Sequence, residues 1–185
     1  MTIRLFAALA VPEDVAARLA PLQRGVGGAR WAPRENLHLT LRFFGEVRED
    51  QADDLDAALG EIAAGRAPLS LTLKGAGAFG GAAAHTLFVA AAASPALTAL
   101  AAACERAARR AGLKPETRKF TPHVTLAYLR AAPLDRVIAF ERNHALFESP
   151  TWRADRFGLY SSWQRKSAPS LYQLEADYQF YGRVR

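Results

Sequence analysis

The stretch Glu35-Asn36-Leu37-His38-Leu39-Thr40-Leu41-Arg42-Phe43-Phe44-Gly45-Glu46 decides the fold, because apolar and polar side chains alternate along it. Alternation with a period of two is the pattern of a strand with one buried face. Residues 36–44 therefore read as a strand closed by Gly45. Leu37, Leu39 and Leu41 turn to a core. His38 and Thr40 share the opposite face, and Arg42 continues it as long as the strand stays regular.

The pattern returns 85 residues later in Phe120-Thr121-Pro122-His123-Val124-Thr125-Leu126-Ala127-Tyr128-Leu129. Residues 119–129 read as a second such strand, with Val124 and Leu126 inward and His123 and Thr125 together on the other side. The chain has four histidines, and two of them fall in His-[Leu/Val]-Thr-Leu. His85 and His144 lack that context and read as surface or structural residues.

Around these two segments, residues 2–10 predict a strand, and Pro12-Glu13-Asp14 opens a helix running to about Val26. Gly27-Gly28 ends it, and Trp31 and Pro33 lie in a connecting loop. A helix is expected over 49–64, strands over 69–74 and 85–92 with GAGAFGG as a loop between them, and a helix over 95–111. A short helix follows Pro133, and strands are expected at about 152–161 and 171–180. This order predicts an α+β protein with mostly antiparallel sheet. The repeated histidine element predicts a single domain of two related lobes, each giving one strand to a shared cleft.

The chain has 185 residues, half of them apolar, which suits one compact domain. The N-terminal stretch lacks the ordered parts of a signal peptide, and no apolar run reaches the length of a transmembrane helix. Cys104, the only cysteine, excludes an intrachain disulfide and reads as a small buried residue on the 95–111 helix. The cytoplasm is the expected compartment, and monomer the expected state. The net charge of +6 favours polyanionic partners. Its distribution is more informative: residues 46–61 carry seven acidic side chains and one Arg, whereas 24–42 and 101–130 are basic. The positive segments are those that hold the two histidines.

Two imidazoles and two hydroxyls on exposed strand faces suit the opening of a cyclic phosphodiester. Water must lose a proton as it attacks, and a ribose oxygen must gain one as it leaves. Histidine, with an ordinary pKa of about 6.5, performs either transfer without a metal. Thr40 and Thr125 are candidate donors to the non-bridging phosphate oxygens, and Arg42 a candidate fixed charge. GAGAFG at 75–80 matches a dinucleotide-binding pattern, but a strand follows it where that site needs a helix. No phosphate-loop motif, zinc-protease motif or cysteine pair occurs. Trp31, Phe120, Tyr128 and Trp163 are candidate base-stacking residues, with core packing the plainer role.

With these residues in hand, the chain resembles the RNA 2′,3′-cyclic phosphodiesterases, also called 2′-5′ RNA ligases, of the two-histidine phosphoesterase superfamily. The resemblance rests on RLFAAL near the start, on Trp31 through Glu46, on Gly112-Leu113, on Phe120 through Leu126, and on the Ser161 and Tyr172 regions. It implies a bilobal fold, with two mostly antiparallel sheets, outer helices and pseudo-twofold symmetry around a central, positively charged cleft. It implies hydrolysis of a 2′,3′-cyclic phosphate at an RNA end to a 2′-phosphate. His38 is then general acid toward the 3′ oxygen and His123 general base, with the swapped roles open. Neither cofactor nor metal is implied, and family members also join RNA ends by 2′-5′ bonds. One departure stands out: many members carry Arg where this chain has Tyr128. Arg118, Lys119 or Arg130 is a candidate replacement as phosphate contact. Rival readings keep the site for a small cyclic nucleotide, an ADP-ribose cyclic phosphate or a 2′-5′ oligonucleotide, or keep the fold as a non-catalytic RNA-binding or ligand-binding module.

Overall fold

A computed structural model describes residues 2–166 and 168–182. Ten strands and four α-helices follow in the order β1 (Thr2–Ala10), α1 (Glu13–Leu19), β2 (Ala29–Trp31), β3 (His38–Arg48), α2 (Glu49–Ala64), β4 (Leu69–Leu71), β5 (Leu73–Phe79), β6 (Thr86–Ala91), α3 (Pro95–Arg110), β7 (His123–Leu129), α4 (Leu134–Asn143), β8 (Trp152–Ala154), β9 (Arg156–Trp163) and β10 (Leu171–Gln179). The α+β class is as the sequence predicts. Among the described residues no helix is long and apolar enough to cross a membrane.

Eight strands form one antiparallel sheet ordered β10-β9-β1-β3-β7-β6-β5, with β2 also on β7, while β4 and β8 pair separately. The large sheet consists of two four-stranded halves. Their junction is the bridge Leu39↔Val124 between β3 and β7. The two expected sheets therefore meet edge to edge.

The halves repeat one another residue for residue near this junction. On β1–β3, Ala10 lies opposite His38, Leu9 opposite Leu39, Ala8 opposite Thr40 and Ala7 opposite Arg42. On β6–β7, Ala90 lies opposite His123, Val89 opposite Val124, Phe88 opposite Thr125 and Leu87 opposite Ala127. Each ladder skips one residue at the same place, Leu41 in β3 and Leu126 in β7. These are β-bulges, and each reverses which face the following residues take. Leu41 and Arg42 are consequently both buried while Phe43 is exposed; Leu126 and Ala127 are both buried while Tyr128 is exposed. The β7 bulge has outside partners: the Leu126 carbonyl accepts from Ala32 N–H at 2.8 Å and from Gln23 Nε2 at 3.2 Å.

The core collects Leu5, Leu9, Leu39, Leu55, Leu59, Leu97, Leu100 and Leu126, all essentially inaccessible. Helix α3 starts as its sequence demands, with Pro95 in the first turn and Ser94 Oγ accepting from Leu97 N–H at 3.2 Å. Cys104 on that helix is buried, as expected.

Several boundaries depart from the sequence reading. The first helix stops at Leu19 and continues as a 3-10 turn over 20–22. Residues 29–31, read as loop, pair with β7 as β2. Gly28 makes that approach feasible: its φ is +76°, and a Cβ there would lie 2.3 Å from the Arg130 carbonyl oxygen. The glycine run 75–79 is strand, part of a β5–β6 hairpin and not a loop. A Cβ at Gly77 would come within 2.7 Å of the Phe88 ring, so only glycine leaves that ring its place.

Candidate active site

The bridge Leu39↔Val124 fixes the relation between the two motifs. In antiparallel pairing the flanking residues of such a bridge face one another. His38 therefore stands across from Thr125, and Thr40 across from His123. All four lie on the face opposite Leu39 and Val124, and all four are partly exposed. In a regular ladder the diagonal pair His38 and His123 would be roughly 7–8 Å apart, which leaves room for one phosphate between their rings.

The imidazoles are held alike. His38 Nδ1–H donates to the Asn36 carbonyl at 2.7 Å, and His123 Nδ1–H donates to the Thr121 carbonyl at 2.7 Å. A carbonyl only accepts, so Nδ1 carries the proton and Nε2 is left to face the cleft as proton acceptor or, when charged, donor. Asn36 is itself tied down by Nδ2–H donating to the Ser170 carbonyl at 2.8 Å. Each ring also rests on aromatics. His38 packs on Phe6 and edge-on to Tyr172, with centroids 4.9 and 5.3 Å away. His123 packs on Phe79 and Phe88, at 4.8 and 5.4 Å.

Electrostatics follow from these surroundings. Burial drives the His38 pKa from 6.5 down to about 4, with His123 lowering it further against the hydrogen bond to Asn36. Burial also lowers His123, again opposed by its carbonyl partner. Both imidazoles are thus mostly neutral at pH 7. Among the described residues no protein group is hydrogen-bonded to the hydroxyls of Thr40 or Thr125. No group of three or more His, Cys, Asp or Glu side chains suited to a metal occurs among the described residues.

Two cavities share His38 and Tyr172. The larger, about 360 Å³, lies on the His38 side only, between Phe6, Tyr160, Glu13 and Arg34. The smaller, about 40 Å³, touches both motifs through His38 and Thr125. Of these two cavities, only the second is lined from both strands.

Not every expected site residue is brought in. Arg42 does not continue the His38–Thr40 face: the bulge at Leu41 turns it inward, where Nε donates to Glu105 on α3 at 2.5 Å and Nη2 to the Lys114 carbonyl at 2.7 Å. Its charge is spent on holding α3 to the sheet. Arg130 lies beyond β7, exposed, and lines neither cavity. Arg118 is exposed and paired with Glu116 at 2.8 Å. Of the aromatic candidates, Trp31 and Tyr128 line the smaller cavity, Trp31 also packing on Phe140, while Phe120 packs against the core and Trp163 is about half exposed. Phe6, Tyr172 and Arg30 were missed. Only the three-dimensional pairing of distant strands places them beside His38.

Residues 11–165 match the family described as the 2′-5′ RNA ligase superfamily. A protein of Thermus thermophilus named RNA 2′,3′-cyclic phosphodiesterase is 34% identical over 185 residues, covering 94% of this chain and 88% of that protein. Proteins of the same name from Archaeoglobus fulgidus and Geobacillus stearothermophilus are 34% and 35% identical over shorter segments, 42% and 52% of this chain. Those segments span 44% and 31% of the two relatives' own lengths. The crystal structure of a Thermus thermophilus protein superposes with a TM-score of 0.81 at 26% identity, over 98% of this chain and 100% of the other. With the motifs, the fold and the family match in accord over most of its length, this chain belongs to the 2′-5′ RNA ligase superfamily.

Proposed function

We propose that the chain hydrolyses 2′,3′-cyclic phosphates at RNA ends to 2′-phosphates, using His38 and His123 as an acid–base pair. Water attacks phosphorus and passes a proton to one Nε2. The P–O3′ bond breaks, and the 3′ oxygen takes a proton from the other Nε2. The family resemblance gives His38 as the acid and His123 as the base, whereas the stronger lowering of His38 by burial favours the swapped roles. Thr40 and Thr125 donate to the two non-bridging oxygens as charge builds there. A 5′-hydroxyl in place of water yields a 2′-5′ bond by the same steps. The observation that carries this reading is the pair of Nδ1-anchored imidazoles on either side of one backbone bridge, each with a threonine across the ladder.

A second substrate reading, a small cyclic nucleotide, draws support from the cavity of about 360 Å³ beside His38, a size suited to one nucleoside. The test is incubation with an oligoribonucleotide ending in a 2′,3′-cyclic phosphate and with a nucleoside 2′,3′-cyclic monophosphate. The phosphate position of each product is then assigned. A 2′-phosphate supports the proposal. A 3′-phosphate, or no opening of either substrate, overturns it.

A further inference from the structure

We propose that Arg30 binds the non-bridging oxygens of the cyclic phosphate and supplies the positive charge of this cleft. The inference rests on the reading above and adds to it a residue outside both histidine motifs.

Three observations carry it. First, Arg30 stands directly opposite Tyr128 in the β2–β7 ladder, so their side chains leave the sheet on the same side. The bulge at Leu126 makes that side the one that holds Thr125. Second, Arg30 lines the small cavity together with His38, Thr125, Tyr128 and Tyr172. Third, the other arginines near the site are engaged. Arg42 is held by Glu105, Arg34 pairs with Glu13 at 2.7 Å, and Arg4 lies 3.9 Å from Glu46 and over the Phe43 ring. Arg30 has no ion-pair partner among the described residues.

The neighbouring hydroxyls do not neutralise it. Burial pushes Tyr172 up to about 12, so it stays protonated at working pH. Among the described residues Arg30 is then the one Lys, Arg, Asp or Glu lining the small cavity, beside Asn36, His38, Thr125, Tyr128, Ser170 and Tyr172. A planar fork of N–H donors matches two phosphate oxygens bidentately, which hydroxyls alone do not. Because charge grows on those oxygens as water adds, the contact strengthens toward the transition state.

The test compares the wild type with Arg30→Ala, Arg30→Lys and the double variant Arg30→Ala/Tyr128→Arg. Substrates are a nucleoside 2′,3′-cyclic monophosphate and an oligoribonucleotide with the same end. Arg30→Ala is expected to lower kcat/KM by roughly 10²-fold on both substrates, with Arg30→Lys intermediate. The double variant returns a guanidinium to the same face from across the ladder and is expected to recover at least about tenfold over Arg30→Ala. Binding of a nucleoside 2′-monophosphate, measured by calorimetry, reads Arg30 without turnover and is expected to weaken about tenfold or more in Arg30→Ala. A wild type that binds this product but opens neither substrate fails the hydrolytic reading alone. Unchanged product binding together with kcat/KM within threefold of wild type overturns the Arg30 assignment. Loss confined to the oligonucleotide also overturns it, by placing Arg30 on the RNA backbone.

Discussion

Leu39 and Val124 are bridged across β3 and β7, and each immediately follows a histidine. This one contact sets the phase of both strands. Shifting β3 by one residue against β7 would put a leucine where His38 stands and bury the imidazole. The core side of the bridge, with Leu39 and Val124 fully buried, is therefore what aligns the polar side.

The histidine pKa values predict an acidic optimum. One proton must reside on the pair. Below the lower pKa both rings are charged and no base remains; above the upper both are neutral and no acid remains. With His38 at about 4 and His123 below 6.5, kcat/KM is expected to be bell-shaped and to peak between about 4 and 6.5. A profile that keeps rising through pH 8 contradicts this.

The same burial costs stability in acid. A histidine whose pKa is lower folded than unfolded takes its proton more readily when unfolded. Stability is whole above 6.5 and falls as pH drops toward 4. At pH 4.5 the loss attributable to His38 amounts to about 2–3 kcal/mol. Urea midpoints at pH 7 and pH 4.5 should therefore diverge more in the wild type than in His38→Gln.

The threonines act through one donor each. Thr40→Val and Thr125→Val are expected to lower kcat by roughly 10–100-fold, and the serine variants by only a few-fold, because serine keeps the hydroxyl. Equal losses in the serine and valine variants would assign the threonines to packing instead.

Arg42 is expected to matter to stability and not to turnover. Arg42→Ala removes the buried partner of Glu105 and is expected to cost about 3 kcal/mol, a fall in Tm of roughly 6–12 °C. Below that Tm, kcat/KM is expected within threefold of wild type. A large kinetic defect in a fully folded Arg42→Ala protein would return this residue to the site.

That correction shows what alternation reveals and what it hides. The His-x-Thr faces were legible because three residues in strict phase suffice to define a strand face. The bulges at Leu41 and Leu126 were not, because leucine and alanine suit either side of a bulge and the partner of Arg42 lies 63 residues away on α3. Strand β2 escaped notice for a similar reason. It is three residues long and exists only through its pairing with β7, about a hundred positions downstream. The glycine run of β5 read as loop because glycine disfavours strands, and its reason for being there is the Phe88 ring, on another strand.

The central claim is that His38 and His123 work as one unit. Single-turnover opening of a 2′,3′-cyclic phosphate by His38→Ala, His123→Ala and the double variant, each checked for native folding, addresses it directly. Each single variant is expected to lose about 10⁴-fold or more, and the double variant little beyond that, since either loss alone breaks the proton circuit. Full activity in either single variant, or losses that simply multiply, would contradict it.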